Sequence, residues 1–144
     1  MNEGSVRLLT PSDAVEALIL YNELTVGPPA DNAAAFSIVL AHPGTQVFGV
    51  FDGHTLAAMV TLHLLPNVVW NGRPYGLIEN VVTRQSHQRR GFGRQVMEAA
   101  LDAAWEANAN KVMLMTGQAR QAVGFYEALG FSSQEKTAMV MRRY

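Results

Sequence analysis

The first part of the chain shows a short apolar run and then the period of a helix. Val6 to Leu9, three of whose four residues are apolar, predict a short strand. Ala14, Leu18 and Tyr21 follow at i, i+4 and i+7, so they share one face of an amphipathic helix. After a Gly-Pro-Pro break, a second helix is predicted over about residues 31–41.

The middle of the chain has the pattern of a β-sheet. Residues 47–51 and 56–65 are apolar runs separated by Asp52-Gly53, a pair typical of a tight hairpin turn. A longer turn over residues 66–74 leads to a third run, Gly76 to Thr83. The pattern therefore predicts three consecutive strands, the first two joined as a hairpin.

The second half of the chain returns to a helical period. Apolar residues at i and i+3 or i+4 predict a long helix from about Gly91 to Ala109. Gly130 stands where a left-handed residue caps the end of a helix. The other predicted elements are a strand over Lys111 to Thr116, a helix over Ala119 to Leu129, and last strands from Phe131 onward and over Met139 to Arg142.

The predicted element order is β-α-α-β-β-β-α-β-α-β-β, with no repeat, low-complexity tract or linker. This order predicts the α/β (α+β) class, with one mixed, mostly antiparallel sheet and helices on both of its faces. A chain of 144 residues is close to the roughly 100–150 residues of one domain, so we expect a single domain over residues 1–144.

Composition and charge exclude several classes of protein. Hydrophobic residues make up 49% and charged residues 16% of the chain, which is typical of a folded domain. The net charge of −1 provides no overall field for nucleic acid or an anionic membrane. No apolar run reaches the roughly 18–20 residues of a membrane span. Residues 1–5 lack the pattern of a secretory signal, so we expect a cytoplasmic protein.

Several kinds of catalytic site are excluded by residue type. The chain has no cysteine, which excludes a disulfide scaffold, a thiolate nucleophile and Cys-based zinc sites. No H-x-x-x-H pair or carboxylate cluster occurs either, so we expect no metal.

A run of basic residues and glycines follows the predicted strand Gly76 to Thr83. Gly91 and Gly93 open the long helix, and four of the eleven basic residues lie between residues 84 and 94. Glycine lets a ligand approach the backbone, and the unpaired N–H groups of a first helical turn attract anions. The segment predicts a phosphate or pyrophosphate site; the alternative is a glycine-permitted helix start beside solvated arginines.

Two familiar phosphate loops do not fit this segment. The Walker loop G-x-x-x-x-G-K-[ST] needs a Lys, and none lies near these glycines. The dinucleotide fingerprint G-x-G-x-x-G needs a third glycine where Val96 stands.

The predicted helix Ala119 to Leu129 contains the second candidate group. Ala122, Phe125 and Leu129 form its buried stripe. Tyr126 lies about 100° around the helix from Phe125, at the edge of this stripe. There its hydroxyl can reach a cleft, or the ring can simply cover an amphipathic boundary.

Together, the two segments resemble the GNAT superfamily of N-acetyltransferases. Residues 88–93, Gln-Arg-Arg-Gly-Phe-Gly, match its Q/R-x-x-G-x-G/A signature. Phe125 to Phe131 match its F-Y-E-x-x-G-F signature, and the element order agrees over almost the whole chain. One position departs from the family pattern, because Ala119 stands where the family often has Asn.

The resemblance implies that acetyl-CoA is the co-substrate and that a primary amine of a small molecule is the acceptor. Backbone N–H groups would hold the CoA pyrophosphate, and the end of the preceding strand would pair its main chain with the pantetheine arm. The cofactor-binding residues so implied are Val81, Val82, Thr83, Gln88, Arg89, Arg90, Gly91, Phe92, Gly93 and Arg94.

Two catalytic residues are expected, Tyr126 and Glu79. Tyr126 matches the family tyrosine that hydrogen-bonds or protonates the departing thiolate, and a backbone N–H near Val81 or Val82 would stabilise the oxyanion. Because the chain has no cysteine, we expect direct attack of the amine in a ternary complex.

Glu79 is a candidate base because it interrupts an apolar strand beside the proposed cofactor segment. A carboxyl group near pKa ~4.3 lies about six pKa units below an alkylammonium, so this role needs a raised pKa or a water relay. Otherwise Glu79 pairs with an Arg or binds the substrate ammonium without removing its proton.

The identity of the acceptor is open at this stage. We expect its pocket to be formed by residues 21–34, the turn of residues 66–74 with Trp70, and the end of the chain. A protein or peptide N-acetyltransferase and a non-catalytic acyl-CoA-binding module on the same fold are the alternatives. Charge balance opposes a nucleic-acid binder. A homodimer through the last strands is compatible with the resemblance.

Overall fold

Five strands form one sheet in the order β1-β2-β3-β4-β5 in the computed structural model, which describes residues 4–143. Residues 1–3 and Tyr144 lie outside the described residues. Residues 1–3 are part of the segment that lacks a secretory-signal pattern. The strands are β1 (Ser5–Leu8), β2 (Thr45–Asp52), β3 (Thr55–Leu65), β4 (Tyr75–Thr83) and β5 (Val112–Leu114). The first four strands pair antiparallel with their neighbours.

The described residues also form four α-helices and four short 3-10 turns. The helices are α1 (Ala14–Leu24), α2 (Ala33–Ala41), α3 (Phe92–Glu106) and α4 (Val123–Ala128). The 3-10 turns are Pro11–Asp13, Trp70–Gly72, Gln85–His87 and Gln118–Arg120. The described residues divide into two compact units, one ending at Met113 and the other beginning at Leu114.

Local signals in the sequence explain where the first helices begin. The Thr10 N–H donates to the Asp13 carboxylate at 2.8 Å, which stabilises the turn that leads into α1. At the start of α2, the Asn32 side-chain oxygen accepts the Ala35 N–H at 3.1 Å and satisfies one of the exposed first-turn donors. The predicted Asp52-Gly53 hairpin is confirmed.

The sheet buries apolar side chains on both faces. On one face, Leu20 of α1 and Phe36 of α2 pack with Val47, Leu56 and Met59. On the other, α3 packs against β2 and β3. Its fully buried side chains are Phe92, Val96, Met97, Ala100 and Ala104. The fold class and the helix-covered, mostly antiparallel sheet are therefore as predicted.

Two predictions for the last part of the chain are wrong. Residues 131–143 contain no strand, although strands were predicted from Phe131 onward and over Met139 to Arg142. A strand forms only when its N–H and C=O groups pair with a neighbour, which an apolar pattern alone does not supply.

The predicted helix from Ala119 to Leu129 is also interrupted. It is a 3-10 turn followed by α4, with Gln121 between them at φ 53°. Apolar periodicity does not detect a single left-handed residue, so the break was not foreseen. Gly130 does have the predicted left-handed conformation, at φ 104°.

Candidate active site

Strand β4 contains one extra residue opposite β3. Met59 pairs with Val82 and Thr61 pairs with Glu79, so two steps along β3 face three steps along β4. Asn80 lies in this interruption with φ 52°. A bulge of this kind leaves main-chain groups outside the ladder and changes the direction of neighbouring side chains.

Glu79 lies on the face of the sheet that α1 and α2 cover. Its ladder partner Thr61 pairs with Val47 on the other side, and Val47 belongs to the core beneath those helices. The Glu79 side chain is half-buried, and no hydrogen bond or ion pair joins it to another described residue. The carboxylate is therefore available to a ligand.

A groove of about 240 Å³ lies between α1, α2 and β4. It reaches β4 at Asn80, directly beside Glu79. Burial raises the pKa of the Tyr21 phenol in its wall, and a hydrogen bond with Thr61 opposes that shift. The lining residues are Leu18, Tyr21, Pro29, Ala30, Asp31, Asn32, Ala35, Phe36, Val39 and Asn80.

The groove agrees with only part of the expected acceptor pocket. From the range 21–34, Tyr21 and residues 29–32 line the groove. No residue of the turn over 66–74 lines it, and Trp70 of that turn is 65% exposed.

The loop from β4 to α3 presents backbone amides. Gly91 is the N-cap of α3 at φ 88°, a left-handed conformation that favours glycine. Gln95 makes the first helical bond, from its N–H to the Gly91 carbonyl at 3.1 Å. Within the described residues no acceptor takes the N–H groups of Phe92, Gly93 and Arg94. This end of α3 therefore fits an anionic group such as a diphosphate.

The side chains of this predicted cofactor segment differ in exposure. Val82 and Phe92 are buried, so only their main chains can meet a ligand. The Gln88 side chain donates to the Thr83 carbonyl at 3.4 Å, whereas Arg89 is exposed at φ 61°. Val81, Thr83, Arg90, Gly91 and Gly93 are half-buried, and Gln88 and Arg94 are exposed.

The arginines of the loop do not form one solvated cluster. Arg84 turns inward, where its Nε donates to the Leu56 carbonyl at 2.8 Å and its Nη2 lies 3.2 Å from the Glu16 carboxylate. Arg94 pairs with Glu98 at 2.8 Å along α3. The sequence does not distinguish these structural arginines from those near the helix start.

Asp52 holds the loop from the hairpin side, a role that sequence reasoning missed. Its Oδ2 lies 3.2 Å from His87 Nε2 and 3.4 Å from Arg90 Nη2. The His87 ring and the Arg90 guanidinium both contact the buried Phe92 ring. The only signal was that Asp52 and Glu79 are the sole acidic residues between positions 32 and 97.

Helix α1 supports the same loop with a carboxylate. Glu23 accepts the Gln85 N–H at 2.9 Å, and Glu16 accepts the Leu56 N–H at 3.0 Å. Carboxylates from α1 thus fix the backbone of the loop after β4 and of the start of β3. Nothing in the local sequence marks Glu16 or Glu23 for this role.

Tyr126 belongs to the second unit, which begins at Leu114. Within that unit its ring makes edge contacts with Phe125 and Phe131. Burial raises the pKa of its phenol above the ordinary value of 10.0, and the charge of Arg120 opposes this shift. The hydroxyl is therefore protonated at neutral pH and can donate a hydrogen bond.

Residues 15–131 match the model of the acetyltransferase (GNAT) family, a span that includes the β4 bulge, the α3 amides and Tyr126. The chain belongs to the GNAT family of acetyltransferases. The family assignment made from the two sequence signatures is confirmed.

Relatives of this GNAT chain cover nearly its whole length. A glucosamine 6-phosphate N-acetyltransferase of Trypanosoma brucei brucei is 27% identical over 91% of this chain and 90% of its own. A solved protein from Agrobacterium tumefaciens str. C58, described as an acetyltransferase, is 39% identical with a TM-score of 0.90, covering 96% and 99% of the two chains.

A more distant solved structure shares the fold. Glucosamine-6-phosphate N-acetyltransferase from Arabidopsis thaliana is 20% identical with a TM-score of 0.82, covering 99% of each chain. The GNAT fold of this chain is therefore independently supported at low sequence identity.

The described residues offer neither a metal-ion cluster nor a membrane-spanning helix. Within residues 4–143, no group of three or more His, Cys, Asp or Glu is placed to hold a metal ion. Over the same residues, no helix combines the length and apolar character that crossing a bilayer requires.

Proposed function

We propose that this chain transfers the acetyl group of acetyl-CoA to the primary amine of a small molecule, by direct attack in a ternary complex. One observation carries the proposal. The bulge of β4 leads through a short loop to the α3 amides, while the groove opens beside it at Asn80. A single segment, residues 79–94, thus joins an acceptor groove to an anion site.

The main chain of this segment would bind the co-substrate. The N–H groups of residues 88–94 hold the diphosphate at the positive end of α3, and residues 81–83 pair with the pantetheine arm. A backbone N–H near Val81 or Val82, released from the ladder by the bulge, donates to the thioester carbonyl oxygen as negative charge develops there. Loss of such a donor typically costs about 10²–10³ in rate.

Glu79 binds the ammonium group of the acceptor. The ammonium loses one proton to solvent water near this carboxylate, and the neutral nitrogen then forms the new C–N bond as the C–S bond breaks. The nitrogen gives its second proton to solvent as the amide forms. Glu79→Gln should raise KM for the amine. If Glu79 also takes the proton itself, the substitution should move the acidic limb of the pH–rate profile.

Tyr126 stabilises the departing thiolate by donating a hydrogen bond. With a thiol pKa of ~8.5 and a tyrosine pKa of ~10 or higher, complete proton transfer is uphill by about 2 kcal/mol. Most of the stabilisation of the thiolate therefore comes from the hydrogen bond with Tyr126. The thiolate then takes its proton from solvent.

The first test is whether acetyl-CoA raises the melting temperature of the chain and whether amines then release the CoA thiol. We expect both results. If acetyl-CoA gives no protection, the proposed function is wrong. If it protects but neither small amines nor peptides release thiol, the chain is an acyl-CoA-binding module instead.

The same assays test Tyr126 directly. Tyr126→Phe should lower kcat by about 10²-fold and leave the acetyl-CoA melting shift unchanged. Tyr75→Phe is the matched control, because Tyr75 lies at the start of β4 beside Lys111 and outside the proposed machinery. Equal kcat values for the two variants would remove Tyr126 from the mechanism.

A further inference from the structure

We infer that the groove between α1, α2 and β4 selects an acceptor amine with an apolar body and no anionic group. It would therefore disfavour phosphorylated aminosugars. This inference rests on the proposed function, because it names the acceptor class of the same site.

The walls of the groove are mainly apolar. Its aliphatic and aromatic surface comes from Leu18, Tyr21, Pro29, Phe36 and Val39. An aminosugar carries hydroxyl groups on nearly every carbon, and each would lose hydrogen bonds to water against such walls. A hydrocarbon body instead gains about 25 cal/mol for each Å² of its surface removed from water.

The charge of the groove opposes a phosphate group. Asp31 is the only charged residue among its lining residues, and no Lys or Arg of the described chain lines it. A phosphomonoester carries about −1.5 to −2 charge at neutral pH and is usually held by Arg or Lys. Asp31 and Glu79 both attract the ammonium group of an acceptor and repel a phosphate.

The start of α2 is the remaining place where an anion could bind, and its geometry opposes this. The Ala35 N–H is taken by the Asn32 side chain at 3.1 Å, and the Phe36 N–H by the Asn32 carbonyl at 3.3 Å. The Asp31 carboxylate stands immediately before them in the chain. The Asn32 side chain therefore occupies one first-turn donor, and the Asp31 charge opposes an anion at the others.

The size of the groove favours a small acceptor. Its volume of about 240 Å³ lies below the roughly 300–1,000 Å³ typical of sites for drug-sized ligands. An amine on a single ring or short alkyl chain fits this space.

Three amines separate the possibilities: 2-phenylethylamine, glucosamine and glucosamine 6-phosphate. We expect kcat/KM for 2-phenylethylamine to exceed that for glucosamine 6-phosphate by at least about 10²-fold. The kcat/KM for glucosamine should lie between these two values, because glucosamine differs from glucosamine 6-phosphate only in lacking the phosphate. A preference for glucosamine 6-phosphate over both other amines would overturn the inference.

A matched pair of variants tests the charge of the groove. Ala35 lines the groove and Ala34 does not, and both side chains are exposed on the first turn of α2. Ala35→Arg should raise the ratio of kcat/KM for glucosamine 6-phosphate over glucosamine by about 10-fold, whereas Ala34→Arg should leave it near the original value. Equal changes in both variants, or no change in either, would contradict the inference.

Direct binding keeps this result separate from the proposed function. Calorimetry without acetyl-CoA should detect 2-phenylethylamine but not glucosamine 6-phosphate, and Ala35→Arg should weaken the first. That pattern supports the groove assignment even if acetyl-CoA fails to bind. Failure of acetyl-CoA to bind would contradict only the proposed function. Binding of glucosamine 6-phosphate alone would overturn the groove assignment while leaving acetyl transfer intact.

Discussion

At the scale of single residues, the candidate site depends on one irregularity in β4. Because the side chains of a strand alternate between faces, one extra residue changes which face the following residues meet. Glu79 and Val82 are three positions apart, so in a regular strand their side chains would lie on opposite faces. Both nevertheless pair with β3 residues on the α1–α2 face. The bulge therefore places the carboxylate on the same face as the core beneath the acceptor groove.

A second residue-scale feature controls stability at low pH. Arg7 donates to both carboxylate oxygens of Asp13 at 2.8 Å, and these bonds lower the Asp13 pKa to about 2. In the unfolded chain the pKa is ~3.9, so the stabilisation is complete above that pH and is lost as the pH falls toward 2.

Asp13→Asn should therefore lower stability at neutral pH but not near pH 2. We expect a loss of up to about 1 kcal/mol at pH 7, the range for an exposed ion pair. Denaturant unfolding from pH 7 to pH 2 measures it, with Asp102→Asn on the exposed side of α3 as the control. If the free energy of unfolding of Asp13→Asn differed from that of the original chain by the same amount at pH 7 and pH 2, the Asp13 pKa would not control stability at low pH.

At the scale of elements, the start of α3 determines both packing and the anion site. Phe92, the first helical residue, is 1% exposed beneath His87 and Arg90, while the amides next to it remain without acceptors in the described chain. Gly91 makes this arrangement possible, because only a left-handed residue turns the chain sharply enough from the loop into the helix.

Gly91→Ala should weaken stability and co-substrate binding together. A side chain at φ 88° costs about 1–2 kcal/mol. Relief of that strain would tilt the first amides of α3, so the melting shift produced by acetyl-CoA should shrink. Thermal unfolding with and without acetyl-CoA measures both effects.

Gly124→Ala is the control for that experiment. Gly124 lies inside α4, and a Cβ there meets no atom within 4 Å. The change should be neutral or stabilise the helix by about 0.5–1 kcal/mol. If Gly91→Ala behaves in the same way, the left-handed cap is not required at the anion site.

At the scale of the whole molecule, burial is distributed unevenly along the chain. The buried hydrophobic residues lie between Leu9 and Ala109. Residues 132–143 are exposed and contain neither helix nor strand. The stability of the described monomer therefore comes from its first unit.

Removal of residues 134–144 should change the free energy of unfolding by less than about 0.5 kcal/mol. Calorimetry checks this, and sedimentation of both chains shows whether the tail is needed for assembly. A large loss of stability that depends on protein concentration would mean that the tail pairs with a second copy. A homodimer, which is compatible with the family resemblance, is the assembly that this experiment tests.

The single-domain and cytoplasmic assignments also stay predictions. Of the expected site, the residues of the cofactor segment lie in β4, in the loop after it and at the start of α3, and their contacts with a ligand are proposals. Tyr126 has the protonated hydroxyl its role needs, because burial raises its pKa. Ala119, at the position where the family often has Asn, lies in the 3-10 turn before α4.

The sequence by itself determined the features that depend on near neighbours. The Asp52-Gly53 turn, the left-handed Gly130 and the glycine start of α3 each act within a few residues, so their residue types are sufficient evidence. The order of these elements and two short signatures were then enough to predict the fold class and the family.

Only the tertiary structure decided which distant groups meet. Arg84 and Glu16 are 68 positions apart, and Asp52 meets Arg90 across 38, so no local pattern predicts either pair. The last predicted strands failed for the same reason, since an apolar segment becomes a strand only when another main chain lies beside it. The charge and shape of the acceptor groove likewise arise where α1, α2 and β4 come together in space.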